Sequence, residues 1–415
     1  MRIPKFLSKS MTRRELLVAL GATGAAAVAA GCTTSAVTPA AAPQATQAPK
    51  PAATAAPAAA GTGPAPKFAY KIGMVAPLTG DVKTFGESTK NGIDLMVAEA
   101  NARGAKVTVV TADDKNDPTE GVNAANKLIT QDGVKALVGS VSSKVSIPIS
   151  DVAQSNKVIM ITGTSTNPSV TVADGKRKDY VFRACFIDPF QGTVMAKFAL
   201  DNLKAKKAAV LYDNSNDYTK GLAEFFRDGF KAGGGTINVF ESYGKDDKDF
   251  SALLTKVAAD KPDFLFLPDY YNKVNLIAAQ ARQVGIAAVF GGGDGWDSSD
   301  LDTKATEGGY FSNHYSPDDQ GATVQNFVKN YKAKYNAVPD ALAALAYDAT
   351  TLLLTAAEKA GSDDPTKVRD AMAGLSGVQT VSGKITFDKN GDPTKAAVVL
   401  QIKGGKQTYV ATVQP

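Results

Sequence analysis

From Tyr70 onward the chain alternates between short apolar runs and longer amphipathic segments, and it runs through that alternation twice. The first series reads as strands over 72–76, 107–111, 136–138 and 158–161, with helices over 86–103 and 119–130 and a short helix before Ser155. After an apolar run at 180–186 it begins again: helix 191–202, strand 208–212, helix 218–232, strand 236–240, helix 250–260, strand 264–267, helix 274–284 and strand 288–290. Strand and helix in strict alternation mean a parallel sheet covered on both faces, because each crossover helix must pack back onto the sheet. The second series echoes the first. Thr84-Phe85-Gly86 and Asp217-Tyr218-Thr219 each open a first helix, and Asp113-Asp114 and Asp246-Asp247 each follow a second strand. An internal echo points to two similar lobes rather than one long sheet. The tail has helices over 323–335 and 342–360, a short one from Pro365, and strands over 385–387, 397–402 and 408–413. It is too small for a third lobe, so it completes the first two and makes the chain cross between them more than once. The expected fold is α/β, with two doubly wound parallel-sheet lobes joined by a multi-strand hinge. Lobe 1 is expected over 67–187 plus 314–390, and lobe 2 over 188–313 plus 391–415.

The segment before residue 67 does not read as fold. Residues 1–31 carry Arg13-Arg14, a weakly hydrophobic Ala/Gly run and Ala29-Ala30-Gly31 before Cys32, the pattern of a twin-arginine signal ending in a lipoprotein cleavage site. Ala29 stands where such sites usually have leucine. Cys32 is the expected lipidation site, and the Ala/Pro-rich stretch to residue 66 a tether that cannot build a core. The protein is thus expected to be exported and held at the cell membrane through a lipid anchor.

Of the 46 basic and 41 acidic residues, six and one lie before residue 67, so the remainder carries 40 of each. A neutral domain without a basic stripe excludes nucleic acid as a partner. Cys185 is the only cysteine besides Cys32, which leaves no disulfide and reads as a buried inert thiol. His314 is the single histidine, which leaves almost nothing for a histidine triad or a multi-histidine metal centre, and it reads as a hinge or surface residue. Phosphate-loop, nucleophile-elbow, zinc-protease and paired-cysteine motifs are missing, so neither enzyme activity, metal nor cofactor is expected. The paired aspartates lack an ordered calcium loop and read as solvated caps.

Ligands of open α/β sheets sit at the carboxyl ends of strands, where following helices present free N–H groups. The stretch 139–168 places two loops of small hydroxyl residues at such ends. They suit an anion held without chemical change. Candidates to line a cleft between the lobes are Phe85, Ser143, Thr164 and Thr166 from lobe 1, and Tyr218, Tyr270 and the run from Gly291 to Asp297 from lobe 2. Glycines there would let backbone approach a ligand, Asp294 would pair with a ligand ammonium, and Trp296 would pack over its apolar part. The bland alternatives are that Asp294 caps a helix from Ser298, that the hydroxyls cap helices, and that the tyrosines line a rim.

These features together resemble the substrate-binding component of branched-chain amino acid ABC importers, the leucine/isoleucine/valine-binding type of class I periplasmic binding proteins. The resemblance rests on Ile72 to Gly80, Phe85-Gly86, Asn91-Gly92, Val138-Gly139-Ser140, Thr164 to Pro168, Phe186 to Gly192 and Gly292 to Trp296. It implies that Ser143, Thr164 and Thr166 hold an amino acid's carboxylate, that Asp294 holds its ammonium, and that Phe85, Tyr218 and Tyr270 close over it. It also implies a monomer delivering its ligand to the transmembrane subunits of an ABC permease. Two departures stand out. The family pairs cysteines near Asn116 and Ser142, and it carries a glutamate where this chain has Asp294 followed by Trp296. A reshaped side-chain pocket is therefore expected. A receptor for an amide, urea or other small polar ligand, and a sensor ectodomain, remain as alternatives.

Overall fold

A computed structural model describes residues 63–415. The signal sequence, Cys32 and most of the tether lie outside the described residues. The folded body begins earlier than 67: Pro64, Ala65 and Pro66 are buried, Arg103 donates to the Pro64 carbonyl at 3.2 Å, and Ala65 N donates to Glu358 Oε1 at 3.4 Å.

Lobe 1 is built from β1 (Ala69–Ala76), α1 (Lys83–Ala102), β2 (Lys106–Asp113), α2 (Pro118–Thr130), β3 (Ala136–Gly139), α3 (Ser143–Asn156) and β4 (Ile159–Thr162). A ribbon of β5 (Val172–Ala173) and β6 (Lys176–Arg177) precedes β7 (Val181–Arg183). The strands form a parallel sheet of order β2-β1-β3-β4-β7. Alternate residues explain why both faces are covered: Ile72, Met74 and Val138 pack on one side, Val75, Leu137 and Met160 on the other.

Lobe 2 repeats the plan with α4 (Asp188–Lys197), β8 (Lys207–Asp213), α5 (Asp217–Ala232), β9 (Thr236–Tyr243), α6 (Ser251–Asp260), β10 (Phe264–Phe266), α7 (Tyr271–Gln283), β11 (Val289–Gly292) and β12 (Tyr310–Asn313). Its parallel part runs β9-β8-β10-β11-β12, the lobe 1 order again, so the sequence echo is a structural repeat. The strand β12 was not anticipated. The expected helix 191–202 begins earlier, at Asp188, and ends in a π turn over Phe198–Asn202.

In the tail, α8 (Ala322–Tyr335), α9 (Ala341–Ala360) and α10 (Pro365–Ala373) return to lobe 1, where α9 packs on α1 and against β3 and β4. A ribbon of β13 (Val378–Thr380) and β14 (Gly383–Ile385) follows, and then β15 (Ala397–Lys403) joins the lobe 2 sheet antiparallel to β12, with β16 (Lys406–Val413) antiparallel to β15 at the edge. The chain thus crosses between the sheets after β7, after β12 and before β15.

Helix starts follow local chemistry. Asp117 caps α2 ahead of Pro118 by accepting from Thr119 N and Glu120 N, Asn216 caps α5 through Tyr218 N, and Asp340 caps α9 through Ala343 N. Asp114 is not the solvated cap expected. It is buried against Ser140, whose hydroxyl donates to it at 2.5 Å, and burial pushes its carboxyl up to about 6.

Candidate functional site

In both sheets the strand order reverses beside the first strand, at β1/β3 and at β8/β10, and the loops at these switch points face one another. Between them lies a cavity of about 350 Å³ lined by Phe85, Val141, Ser143, Thr164, Tyr218, Tyr270, Asp294, Gly295, His314, Ala341, Leu342 and Leu345.

The lobe 1 wall has a polar corner and an apolar flank. Ser142 is the N-cap of α3 but makes no side-chain cap bond, so the first turn of that helix keeps N–H groups for a ligand. Ser142 instead donates to Asn116 Oδ1 at 2.7 Å. The two positions where the resemblance implies a cysteine pair are thus joined here by a hydrogen bond. Ser143 Oγ accepts from Asn167 N at 3.2 Å, which leaves its own O–H free to donate into the cavity. Thr164 Oγ1 donates to the Val141 carbonyl at 3.0 Å. Phe85 and Val141, with Ala341, Leu342 and Leu345 from the first turns of α9, form the apolar flank.

The lobe 2 wall is organised around Asp294. Its Oδ1 accepts from Gln191 Nε2 at 2.8 Å and from the Tyr218 hydroxyl at 2.9 Å, and its Oδ2 lies 3.0 Å from His314 Nε2. Burial lowers the imidazole from its ordinary value although the Asp294 hydrogen bond opposes this, so near neutrality the ring is uncharged and donates through Nε2–H. Burial raises the Tyr218 phenol well above its ordinary range, so it also donates. Asp294 is the only formally charged side chain on the wall. Tyr270 stacks on Tyr218 with centroids 5.3 Å apart and meets Phe85 of lobe 1 edge-on at 5.6 Å.

Phe85, Ser143, Thr164, Tyr218, Tyr270 and Asp294 therefore come together on one cavity. Two other candidates do not. Trp296 is fully buried in lobe 2, stacked on Phe311, and its Nε1 donates to the Leu267 carbonyl at 3.0 Å. Gly291 and Gly292 make room for the protein's own side chains, whereas Gly295 lines the cavity: a Cβ on Gly291 would lie 1.9 Å from the Phe264 ring, and one on Gly292 2.0 Å from Trp296 Nε1. Thr166 is buried behind the loop beside Asp188, and its hydroxyl has no hydrogen-bond partner among the described residues.

His314 is not a surface residue, although it follows β12 where the chain crosses between the sheets. It is buried, stacked on Phe186 at 3.8 Å, and forms part of the wall. Sequence reasoning missed it together with β12, whose carboxyl end carries it. It also missed Gln191, the partner of Asp294, and the α9 residues. The one available signal for α9 was an Asp340 cap placed directly before an apolar helix.

A family model described as periplasmic binding protein matches residues 69–407. The Leu/Ile/Val-binding protein BraC3 of Rhizobium johnstonii is 37% identical over 341 residues, covering 79% of this chain and 90% of that protein. Among solved structures, a leucine binding protein from Thermotoga maritima is 38% identical with a TM-score of 0.79, covering 83% of this chain and 99% of the other. A branched-chain amino acid transporter substrate binding protein from Streptococcus pneumoniae, in complex with isoleucine, is 32% identical with a TM-score of 0.78, covering 84% and 100%.

Proposed function

The chain belongs to the periplasmic binding protein family, and from that premise we propose that it binds a branched-chain or related aliphatic amino acid between its lobes and delivers it to the permease of an ABC importer. The observation that carries this reading is the polarity of the cavity. An uncapped helix start with the Ser143 hydroxyl lies on one wall, and the lone carboxylate of Asp294 on the other, with Leu342, Leu345, Val141 and Phe85 beside them. A zwitterion fits that arrangement with its carboxylate on α3 and Ser143 beside Thr164, its ammonium on Asp294, and its side chain on the leucines. Thr166 shapes the loop from behind. Tyr218 and Tyr270 cover the ligand, and Trp296 takes no part. The names of the relatives, and the isoleucine in the pneumococcal structure, support the same class.

The role is binding and release without catalysis, in keeping with the binding-protein descriptions of its relatives. Lobe 1 comprises 67–187 plus 314–390 and lobe 2 comprises 188–313 plus 391–415, with the Pro64–Pro66 segment seated on lobe 1. The protein acts as an exported monomer tethered by lipidated Cys32. No helix among the described residues is long and apolar enough to cross a membrane. Mass spectrometry of the amino-terminal peptide, with Cys32→Ala shifting the protein to the soluble fraction, tests the anchor.

A neutral amide-like ligand is the second reading, favoured by the three protein donors already placed on Asp294. Calorimetry with L-leucine, L-isoleucine, L-valine, leucinamide and 4-methylpentanoate separates the two. The amino acids are expected to bind, with both analogues weaker by at least a hundredfold. Equal binding of the acid that lacks an amine would overturn the role of Asp294, and equal binding of the amide that of the α3 corner.

A further inference from the structure

The two lobes also meet just outside the cavity, three residues beyond Asp294. The Asp297 carboxylate accepts from Ala341 N at 2.8 Å through Oδ2. Ala341 is the first residue of α9, a helix of lobe 1, and Asp297 follows β11 of lobe 2.

Each side of this bond is fixed within its own lobe. On the lobe 2 side, Asp297 Oδ2 also accepts from Asn313 Nδ2 at the end of β12, and its Oδ1 accepts from Gln407 Nε2 in β16, both at 2.8 Å. On the lobe 1 side, α9 lies so close to α1 that a Cβ on Gly92 would sit 2.2 Å from the Ala343 carbonyl oxygen. Asp340 caps α9 from within lobe 1, accepting from Ala343 N at 2.9 Å and from the Ser88 hydroxyl at 2.5 Å. That cap leaves the Ala341 N–H without an acceptor of its own lobe, and Asp297 supplies one from the other. The bond is charge-assisted, lies at a helix amino end where negative charge is favoured, and is dry, since Asp297 is 3% exposed. Three further bonds between the lobes, Thr84 Oγ1 to Ser298 Oγ, Tyr271 OH to the Asp81 carbonyl and Asn167 Nδ2 to the Asp217 carbonyl, join neutral groups, and charged ones lie at the crossing segments, Arg183 to Asp392 and Lys395 to Ser382.

The helix end that Asp297 grips is the one that contributes Ala341, Leu342 and Leu345 to the cavity. We infer that Asp297 is a positioning residue: its bond to the amino end of α9 latches the lobes closed and holds the apolar wall of α9 against the ligand bound at Asp294. The inference rests on the proposed amino acid binding. In the open form the Ala341 N–H and the third acceptor position of Asp297 return to water, so the bond favours the closed form over the open one.

Ala341→Pro deletes the donor and puts a ring in place of the methyl on the cavity wall. Proline is well tolerated at the first position of a helix, and Asp340, at φ −85° and ψ 178°, already has the extended backbone that a residue before proline requires. Ala341→Val adds bulk at the same place and keeps the N–H. With L-isoleucine in calorimetry and stopped flow, Ala341→Pro is expected to bind about tenfold more weakly than Ala341→Val, chiefly through faster dissociation, because the two variants share added bulk on the cavity wall and differ in the N–H. Asp297→Ala, which removes the acceptor, is expected to cost a similar factor alone and less than about threefold when added to Ala341→Pro, because both remove one bond. Equal losses in the Pro and Val variants, or fully additive losses in a double variant that melts cooperatively, overturn the latch. Failure of wild type to bind isoleucine would instead refute the ligand reading. The latch is then decided on ligand-free protein by distance measurements between labels on the two lobes: a longer distance in Ala341→Pro supports it, and an unchanged one overturns it.

Discussion

The two lobes offer the same strand ends to the cavity and opposite chemistry on them. Phe85 follows β1 and Tyr218 follows β8; Ser143 follows β3 and Tyr270 follows β10; Thr164 follows β4 and Asp294 follows β11. Lobe 1 presents donors, a helix amino end and aliphatic side chains, whereas lobe 2 presents one carboxylate within a cage of Gln191, Tyr218 and His314. A repeated fold thus fixes where a site forms, and a few side chains at equivalent positions give it a positive and a negative end. The cage has a further consequence. Three donors hold Asp294 in place, so in the proposed binding mode a ligand ammonium would meet an acceptor already oriented, with little reorganisation on binding.

The comparison can be broken most sharply at its charged end. Asp294→Ala is expected to weaken amino acid binding by about 2–5 kcal/mol, because a buried ammonium loses its partner and the Gln191, Tyr218 and His314 donors lose theirs. Unchanged affinity in calorimetry would remove lobe 2 from ligand recognition. Next in size is Trp296→Phe, which leaves the Leu267 carbonyl without its donor deep in lobe 2. It is expected to lower stability by about 1–3 kcal/mol in chemical denaturation while preserving the ranking of leucine, isoleucine and valine. A changed ranking would return Trp296 to the site.

A buried acid in each lobe makes stability depend on pH. Burial pushes Asp114 of lobe 1 up to about 6, and burial pushes Asp269 of lobe 2 up to about 7, where it accepts from Tyr243 OH and Tyr270 N. A carboxyl whose folded pKa is raised binds its proton more tightly when folded. Its contribution to stability is therefore complete below the ordinary carboxylate range and is lost as pH rises, through about 6 for Asp114 and about 7 for Asp269. Each slope is at most about 1.4 kcal/mol per pH unit. Melting curves of Asp269→Asn against wild type should converge at low pH and separate towards pH 7, with the variant the more stable; parallel curves would contradict this. The smallest effect is expected at Ser143. Replacing it by Ala removes one hydroxyl from a corner that keeps its helix N–H groups, at about 0.5–1.5 kcal/mol of ligand affinity by calorimetry. A loss as large as that of Asp294→Ala would mean that the hydroxyl, not the helix end, carries the carboxylate.

Much of this was legible in the residues, because the signals were local. The hydroxyl loops at 139–168 follow apolar strands, and Tyr218 and Tyr270 stand at the starts of helices α5 and α7, so position along the chain placed them at strand ends. The errors share a cause. At Gly291 to Trp296 the residue types suggested a ligand, yet whether space beside a glycine holds a ligand or a neighbouring ring depends on packing from distant segments, here Phe264 and Trp296 itself. His314 was misplaced because β12 is short and its burial depends on β11 and β15 flanking it.

The sequence by itself determined the α/β alternation, its duplication and the set of loops from which a site could be drawn, since hydrophobic period and capping are properties of neighbouring residues. Only the tertiary structure decided which side chains of those loops turn into the cavity, that α9 supplies its apolar wall, and that Asp297 reaches the end of that helix. Those outcomes come from close packing between segments far apart in the chain, where one glycine or one cap sets how near two backbones approach, and no periodicity records that distance.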